Sequence, residues 1–162
     1  MGSKQIVIIN GTGGCGKDTF VSFVSKYKRV YNFSSVDKVK EIAKLIGWNG
    51  GKTDKDRKFL SDLKKLTTEY NDMAFNSIKD AINIFKNSDD EIMFIHIREP
   101  EEIKRAVDAF NAKTLLIKRD GYDNIMTNAS DANVENYDYD YIIYNKSLEK
   151  LEDEAQKFAN FQ

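Results

Sequence analysis

Gly11-Thr12-Gly13-Gly14-Cys15-Gly16-Lys17-Asp18-Thr19 lies between the apolar run Ile6-Val7-Ile8-Ile9 and the segment Phe20-Val21-Ser22-Phe23-Val24. A strand, a glycine-rich turn and a helix in that order form the setting of a phosphate-binding loop. Glycine fills four of the six positions 11–16, which lets successive backbone N–H groups turn inward around an anion. The start of the following helix adds a partial positive charge. Lys17 extends the cradle toward the outer phosphates as a point charge. The spacing fits G-x-x-x-x-G-K, except that Asp18 stands where Ser or Thr normally meets magnesium, with Thr19 one place later. Either Asp18 is the metal ligand, or it caps the helix while Thr19 approaches a phosphate. The stretch is expected to bind a nucleoside triphosphate, ATP with Mg2+.

Outward from this loop, composition narrows the classes. The chain has 162 residues, which suits one domain able to bury its core without covalent staples. A net charge of −1 supplies no global basic field, so no nucleic-acid partner is expected. The single cysteine, Cys15, cannot form an internal disulfide and suits a reducing cytosol; it is expected to act as a small residue in a tight turn. No stretch reaches the roughly 18 to 20 apolar residues of a membrane span, so no membrane partner is expected. Met1-Gly2-Ser3-Lys4 runs straight into a strand, so neither a signal peptide nor myristoylation is expected, and the localisation is read as cytoplasmic.

Strands and helices then alternate. Gln5 to Asn10 reads as a buried strand, and the helix after the loop as about Asp18 to Tyr27, with Phe20, Val21, Phe23 and Val24 on its buried side. Val30 to Phe33 is a second strand, followed by a helix capped by Ser34 or Ser35 with Val36, Val39, Ala43 and Ile46 at helical spacing. Between Gly51 and Pro100 there is neither glycine nor proline, and apolar residues from Phe59 to Phe85 keep a helical period. So long a run allows a break near Asn71-Asp72, with a coiled coil as the alternative, for which clean heptads are few. Ile92 to Ile97 is the third long strand, and Pro100 opens the next helix. Thr114 to Ile117 and Tyr139 to Tyr144 are the last strands, and Leu148 to Ala159 the final helix. Such alternation implies an α/β fold, a parallel sheet with helices on both faces and a ligand at the strands' carboxyl ends. That rule points Gly11–Lys17, Ser34–Asp37, Arg98–Glu99 and Lys118–Arg119 to one crevice.

Phosphoryl transfer needs positioning and compensation of negative charge more than covalent help. Arg98 follows the third strand and Arg119 the fourth, both at the sheet's carboxyl edge. From Asp120 through Asn145 there is no lysine or arginine, leaving Lys118 and Arg119 as the local cations for a lid. His96, inside an apolar strand, is expected to be a buried structural histidine, and Trp48 a hydrophobic anchor. Asn145-Lys146-Ser147-Leu148 lacks the carboxylate of a guanine-reading Asn-Lys-x-Asp, so it reads as a strand-to-helix turn and a GTPase does not fit. A nucleic-acid motor would be larger and more basic.

The loop ending in Gly16-Lys17-Asp18-Thr19 resembles that of the phage and bacterial deoxynucleoside monophosphate kinases. Phe33 with Asp37, Lys40-Glu41-Ile42-Ala43, Leu45 to Gly50, Arg57 to Leu63, Ile95-His96-Ile97-Arg98 with Glu99-Pro100, Ser130-Asp131 and Tyr139–Asn145 are similar to later segments of that family. The likeness spans most of the chain, and the loop is its specific part. It implies a three-layer P-loop kinase fold, a five-stranded parallel sheet in the order 2-3-1-4-5, and transfer of the ATP γ-phosphoryl to a (d)NMP. On that reading residues 1–162 form one kinase domain, with an acceptor-binding helical region about 35–88 and a short lid about 119–137. Gly11, Thr12, Gly13, Gly14, Cys15, Gly16, Lys17, Asp18 and Thr19 would hold ATP, with Asp18 and Thr19 toward the metal. Arg57 and Arg98 would clamp the acceptor phosphate, Asp37 and Lys40 would lie near the acceptor, and Arg119 would neutralise the passing phosphoryl. His96 departs from the family's Asp-x-Arg signature. Dephospho-coenzyme A kinases share the architecture, and a P-loop protein that binds nucleotide without catalysis is the reading from another class. The partner is a small-molecule nucleotide, and the helical region 54–87 packs internally or forms a homodimer surface.

Overall fold

Ile6 to Asn10 has no charged side chain, and Val7, Ile8 and Ile9 are each 0% exposed, as expected for a strand covered on both faces. The computed structural model describes residues 3–119 and 133–161. In it this strand, β1 (Gln5–Asn10), is the centre of a five-stranded sheet. The other strands are β2 (Val30–Ser34), β3 (Ile92–His96), β4 (Lys113–Arg119) and β5 (Tyr141–Asn145), in the order β2-β3-β1-β4-β5. β1 runs parallel to β3, with Ile9 opposite His96, and parallel to β4, with Asn10 opposite Leu116; β4 and β5 are parallel as well. The helices are α1 (Lys17–Val24), α2 (Asp37–Leu45), α3 (Asp54–Asn71), α4 (Met73–Lys86), α5 (Pro100–Phe110) and α6 (Leu148–Phe161). The fold is the expected three-layer α/β arrangement.

The chain divides into two compact units, residues 1–32 with 85–162, and residues 33–84. In the first, strand alternation sorts the core. Val7 and Ile9 join Phe94, Leu115 and Ile117 on the face that packs with Phe20 and Val24 of α1 and Leu151, Ala155 and Phe158 of α6. Phe20, Phe94 and Phe158 meet in edge and stacked pairs with centroids 5.7 to 6.3 Å apart. Burying each ring is worth about 1.5–3 kcal/mol, so the helix behind the glycine loop is anchored hard to the sheet. Lys4 donates to the carbonyls of Phe85, Ser88 and Asp90, where its charge meets the negative end of α4.

In the second unit the long helical run breaks, which is the first of the two expected alternatives. Asp72, at φ 56°, adopts the left-handed conformation and separates α3 from α4. Thr53 and Asp56 form a reciprocal capping box that starts α3. The Asp56 carboxylate accepts from the Thr53 hydroxyl and backbone, which holds its pKa below the ordinary value.

Several boundaries differ from expectation. Neither Ser34 nor Ser35 caps α2; Val36 holds the cap position, and the Asp37 carboxylate accepts from the Ser34 N–H at 3.1 Å. Ile46 and Leu148 keep helical spacing but are 63% and 67% exposed. No residue of α3 is buried, although its apolar period is clear; periodicity shows which residues share a face, not whether something covers it.

Candidate active site

The glycine loop takes its shape from two directions. Beneath it, Cys15 is 1% exposed and its N–H donates to the Thr12 carbonyl at 3.1 Å, closing the turn. A Cβ on Gly11 would lie 2.5 Å from the Cys15 Sγ and 2.6 Å from the Ile117 carbonyl oxygen, so only glycine passes between β4 and the turn. At the far end Gly16, with φ 104°, is the residue from which α1 starts. Its position against Asn145 is equally close, since a Cβ there would sit 2.6 Å from the Asn145 Nδ2. That amide donates to the Cys15 carbonyl at 2.9 Å, so the end of β5 pins the loop from behind.

Burial pushes the Cys15 thiol above its usual range, with the Lys17 ammonium and Arg98 guanidinium opposing it. The thiol is therefore a packing group, as its place in the turn implied.

Lys17 and Arg119 touch the loop, and the Arg98 backbone lies beside its first residue. The Lys17 ammonium donates to the Gly11 carbonyl at 2.9 Å. Arg119 is exposed and its guanidinium donates to the Gly14 carbonyl at 3.4 Å. It is the last residue of β4 rather than the first beyond it, since pairing with β5 continues through Lys118 and Arg119. Lys118 faces Glu135 in an ion pair at 2.5 Å. Arg98 lies just past β3, where its carbonyl accepts from the Asn10 side chain at 3.1 Å.

The residues present fit a triphosphate. The Thr12 hydroxyl is buried and has no hydrogen-bond partner among the described residues, a state that costs about 1–3 kcal/mol unless a ligand oxygen meets it. Glycine positions that a Cβ would fill, the start of α1 and the flanking cations are the other parts of an anion cradle. For magnesium, Asp18 is exposed on the first turn of α1 and Thr19 half-buried beside it. Among the described residues no cluster of three or more His, Cys, Asp or Glu side chains suits a metal. Magnesium needs no such cage when a nucleotide supplies oxygens. A separate cavity of about 440 Å³ is lined by Glu99, Glu101, Glu102, Pro100, Asn133 and Asn136; its carboxylates would repel a phosphate.

His96 is not buried as the apolar strand suggested. It is half-exposed at the end of β3, with Nε2 2.7 Å from the Asn32 Oδ1. Trp48 is half-buried and donates from Nε1 to the Gly51 carbonyl. Asn145 to Ser147 forms the expected strand-to-helix turn, with the Ser147 hydroxyl accepting from the Lys150 N–H. Lys17, Arg98 and Arg119 belong to the first unit. Asp37 and Lys40, exposed on α2, and Arg57, half-buried on α3, belong to the second. The Ser130-Asp131 likeness and most of the expected lid, residues 120–132, lie outside the described residues.

In the sequence Asn10 and Tyr139 read only as strand ends and Asn145 only as part of a strand-to-helix turn. All three are buried, and they carry the polar contacts that hold the loop. The signal available was an asparagine closing an otherwise apolar strand, twice, at Asn10 and Asn145.

Sheet order, glycine loop and helix placement together define the P-loop kinase fold. A crystal structure of a Thermus thermophilus protein matches with a TM-score of 0.60 at 14% identity, over 98% of this chain and 97% of that one. Shikimate kinase from Aquifex aeolicus matches with a TM-score of 0.53 at 10% identity, over 97% and 96%. A sugar kinase from a Janibacter species matches with a TM-score of 0.51 at 16% identity, over 97% and 95%. At such identities the likeness is one of fold. No family model matches the sequence, and none of the curated proteins does. Among the described residues no helix is long and apolar enough to cross a membrane.

Proposed function

We propose that the chain is an ATP-dependent phosphotransferase acting on a nucleoside monophosphate, a deoxynucleotide by its resemblance. The observation that carries this reading is the pair of cations on the glycine loop, Lys17 and Arg119, with Arg98 held beside the loop's start through its main chain. One cation and the loop suffice to bind a triphosphate. Two further arginines suit a second phosphate-bearing ligand and the charge that spreads in transfer. Neighbours of this fold include kinases for shikimate and for a sugar, so fold alone does not select the acceptor. The choice of a nucleotide rests on the loop sequence Gly16-Lys17-Asp18-Thr19 and the segments that follow it.

In this reading the loop N–H groups and Thr12 hold the triphosphate oxygens, and Lys17 bridges the outer phosphates. Arg98 orients the acceptor phosphate, and Arg119 compensates charge as the phosphoryl passes. Asp18 or Thr19 would hold magnesium, which when bound supplies further charge compensation. The attacking phosphate oxygen is already anionic, so no general base is required. The assignments of Asp37, Lys40 and Arg57 to the acceptor stand as separate proposals, each tested by its own alanine variant.

The test is a coupled ADP-release assay over ribo- and deoxynucleoside monophosphates and dephospho-coenzyme A. One monophosphate should drive turnover, and Lys17→Ala should abolish it. Arg98→Ala and Arg119→Ala should each lower kcat about a hundredfold or more. Tight ATP binding with no acceptor-dependent turnover would instead support a non-catalytic nucleotide-binding protein, and turnover with dephospho-coenzyme A alone would reassign the acceptor.

A further inference from the structure

Asn10 ends the central strand and is 0% exposed. Its side chain uses both donors and its acceptor. Nδ2 donates to the Arg98 carbonyl at 3.1 Å and to the Tyr139 hydroxyl at 2.9 Å, while Oδ1 accepts from the Gly11 N–H at 2.9 Å. A flipped amide would oppose donor to donor at Gly11 and acceptor to acceptor at Arg98, so the network dictates the orientation. Tyr139 is also buried, and its hydroxyl donates onward to the Val134 carbonyl at 2.6 Å. One amide thus joins the first residue of the glycine loop, the backbone at Arg98 and the segment leading into β5.

We propose that Asn10 and Tyr139 are positioning residues that keep the glycine loop, Arg98 and residues 134–139 in one register. The geometry has a feature that simple core filling does not need. Arg98 is gripped through its main-chain carbonyl, so this contact sets its position without engaging the guanidinium. The grip shares its amide with the Gly11 N–H, where the cradle begins. In a buried network each bond polarises the next and an unpaired member is costly, so the three segments move together or not at all. Ile6 to Ile9 show that apolar residues fill this strand; asparagine stands where the chain leaves β1, beside the backbone that leaves β3 and the segment that enters β5.

The kinetic part of this inference rests on the phosphotransferase reading above, and the structural part does not. Asn10→Ser, Tyr139→Phe and the core control Ile143→Val are compared in the full chain. The first readout is amide hydrogen exchange without nucleotide. Asn10→Ser should speed exchange about tenfold or more, a change of about 1.4 kcal/mol, at residues 10–11, 97–99 and 134–139 together. Tyr139→Phe should do so at 134–139 alone, and Ile143→Val at none of the three beyond its global effect. The second readout is kinetic, measured well below each variant's Tm. Tyr139→Phe should lower kcat about tenfold with the ATP KM within about threefold, and Asn10→Ser should impair both. Exchange that rises only next to residue 10, or wild-type kcat and KM in both variants, overturns the proposal. If the wild type turns over no acceptor, the phosphotransferase reading falls while the exchange pattern still decides whether the segments are coupled.

Discussion

Alanine at position 16 would meet two separable obstacles, and a double-mutant cycle with Asn145 distinguishes them. The first is local: Gly16 has φ 104°, where an L side chain is strained by about 1–2 kcal/mol. The second is the neighbour, because the new Cβ would fall 2.6 Å from the Asn145 Nδ2, and the amide must move and release the Cys15 carbonyl. Leaving that buried carbonyl unpaired costs about 1–3 kcal/mol. Gly16→Ala should therefore lose about 2–5 kcal/mol, the sum of both terms. Asn145→Ala loses the same hydrogen bond by itself. In the double variant the bond is lost once and the Cβ finds space, with Leu151 Cδ2 at an ordinary 3.5 Å. The double variant should then be more stable than the two single losses predict, by about 1–3 kcal/mol, far above the roughly 0.3–0.5 kcal/mol scatter of independent sites. Urea denaturation of the four proteins measures it, and in thermal melts each kcal/mol is about 2–4 °C for a chain of this size. Additivity within about 0.5 kcal/mol would refute the claim that Asn145 pins the loop through contact with Gly16.

Other outcomes follow from single groups. Burial raises the Tyr139 hydroxyl to about 12, with its hydrogen bond from Asn10 opposing the shift and the neighbouring Tyr137 and Glu135 adding to it. The folded protein keeps this proton where the unfolded chain releases it, so stability should fall as pH rises from 10.0 toward about 12. Absorbance at alkaline pH should show a late-ionising tyrosine, above Tyr137, which burial also raises, and Tyr139→Phe should remove that late step; an unchanged titration in Tyr139→Phe would contradict this. Cys15, likewise raised by burial, should be alkylated by iodoacetamide at least about tenfold more slowly in the native than in the denatured protein, with equal rates refuting the assignment. Lys4→Met should cost about 1 kcal/mol by removing the charged donor at the end of α4, read as a lower Tm at unchanged ATP affinity.

The glycine loop was legible because its chemistry is local. Backbone freedom at glycine, a helix start and one lysine lie within a few residues of one another, and their spacing alone carries the expectation of an anion site. Asp72 was legible for the same reason, as an 18-residue helix and a 14-residue helix in sequence need a break between them. His96 was misread because a strand's apolar pattern reports average burial, whereas exposure at its last residue depends on what lies beyond β3. α3 shows the same limit: its period is apolar, and its burial is not.

By itself the sequence determined the strand-loop-helix unit, the alternation that makes a parallel sheet, and the cationic residue types at the ends of β3 and β4. Tertiary structure alone decided what holds them. The Asn10 contacts to Arg98 and Tyr139 join residues separated by 88 and 129 positions, and Asn145 reaches Cys15 across 130. A hydrogen bond of that separation leaves no periodicity in the chain. It exists only because the sheet brings the ends of β1 and β5 beside the Arg98 and Cys15 carbonyls, which must be paired, and brings the segment that enters β5 within reach of Asn10.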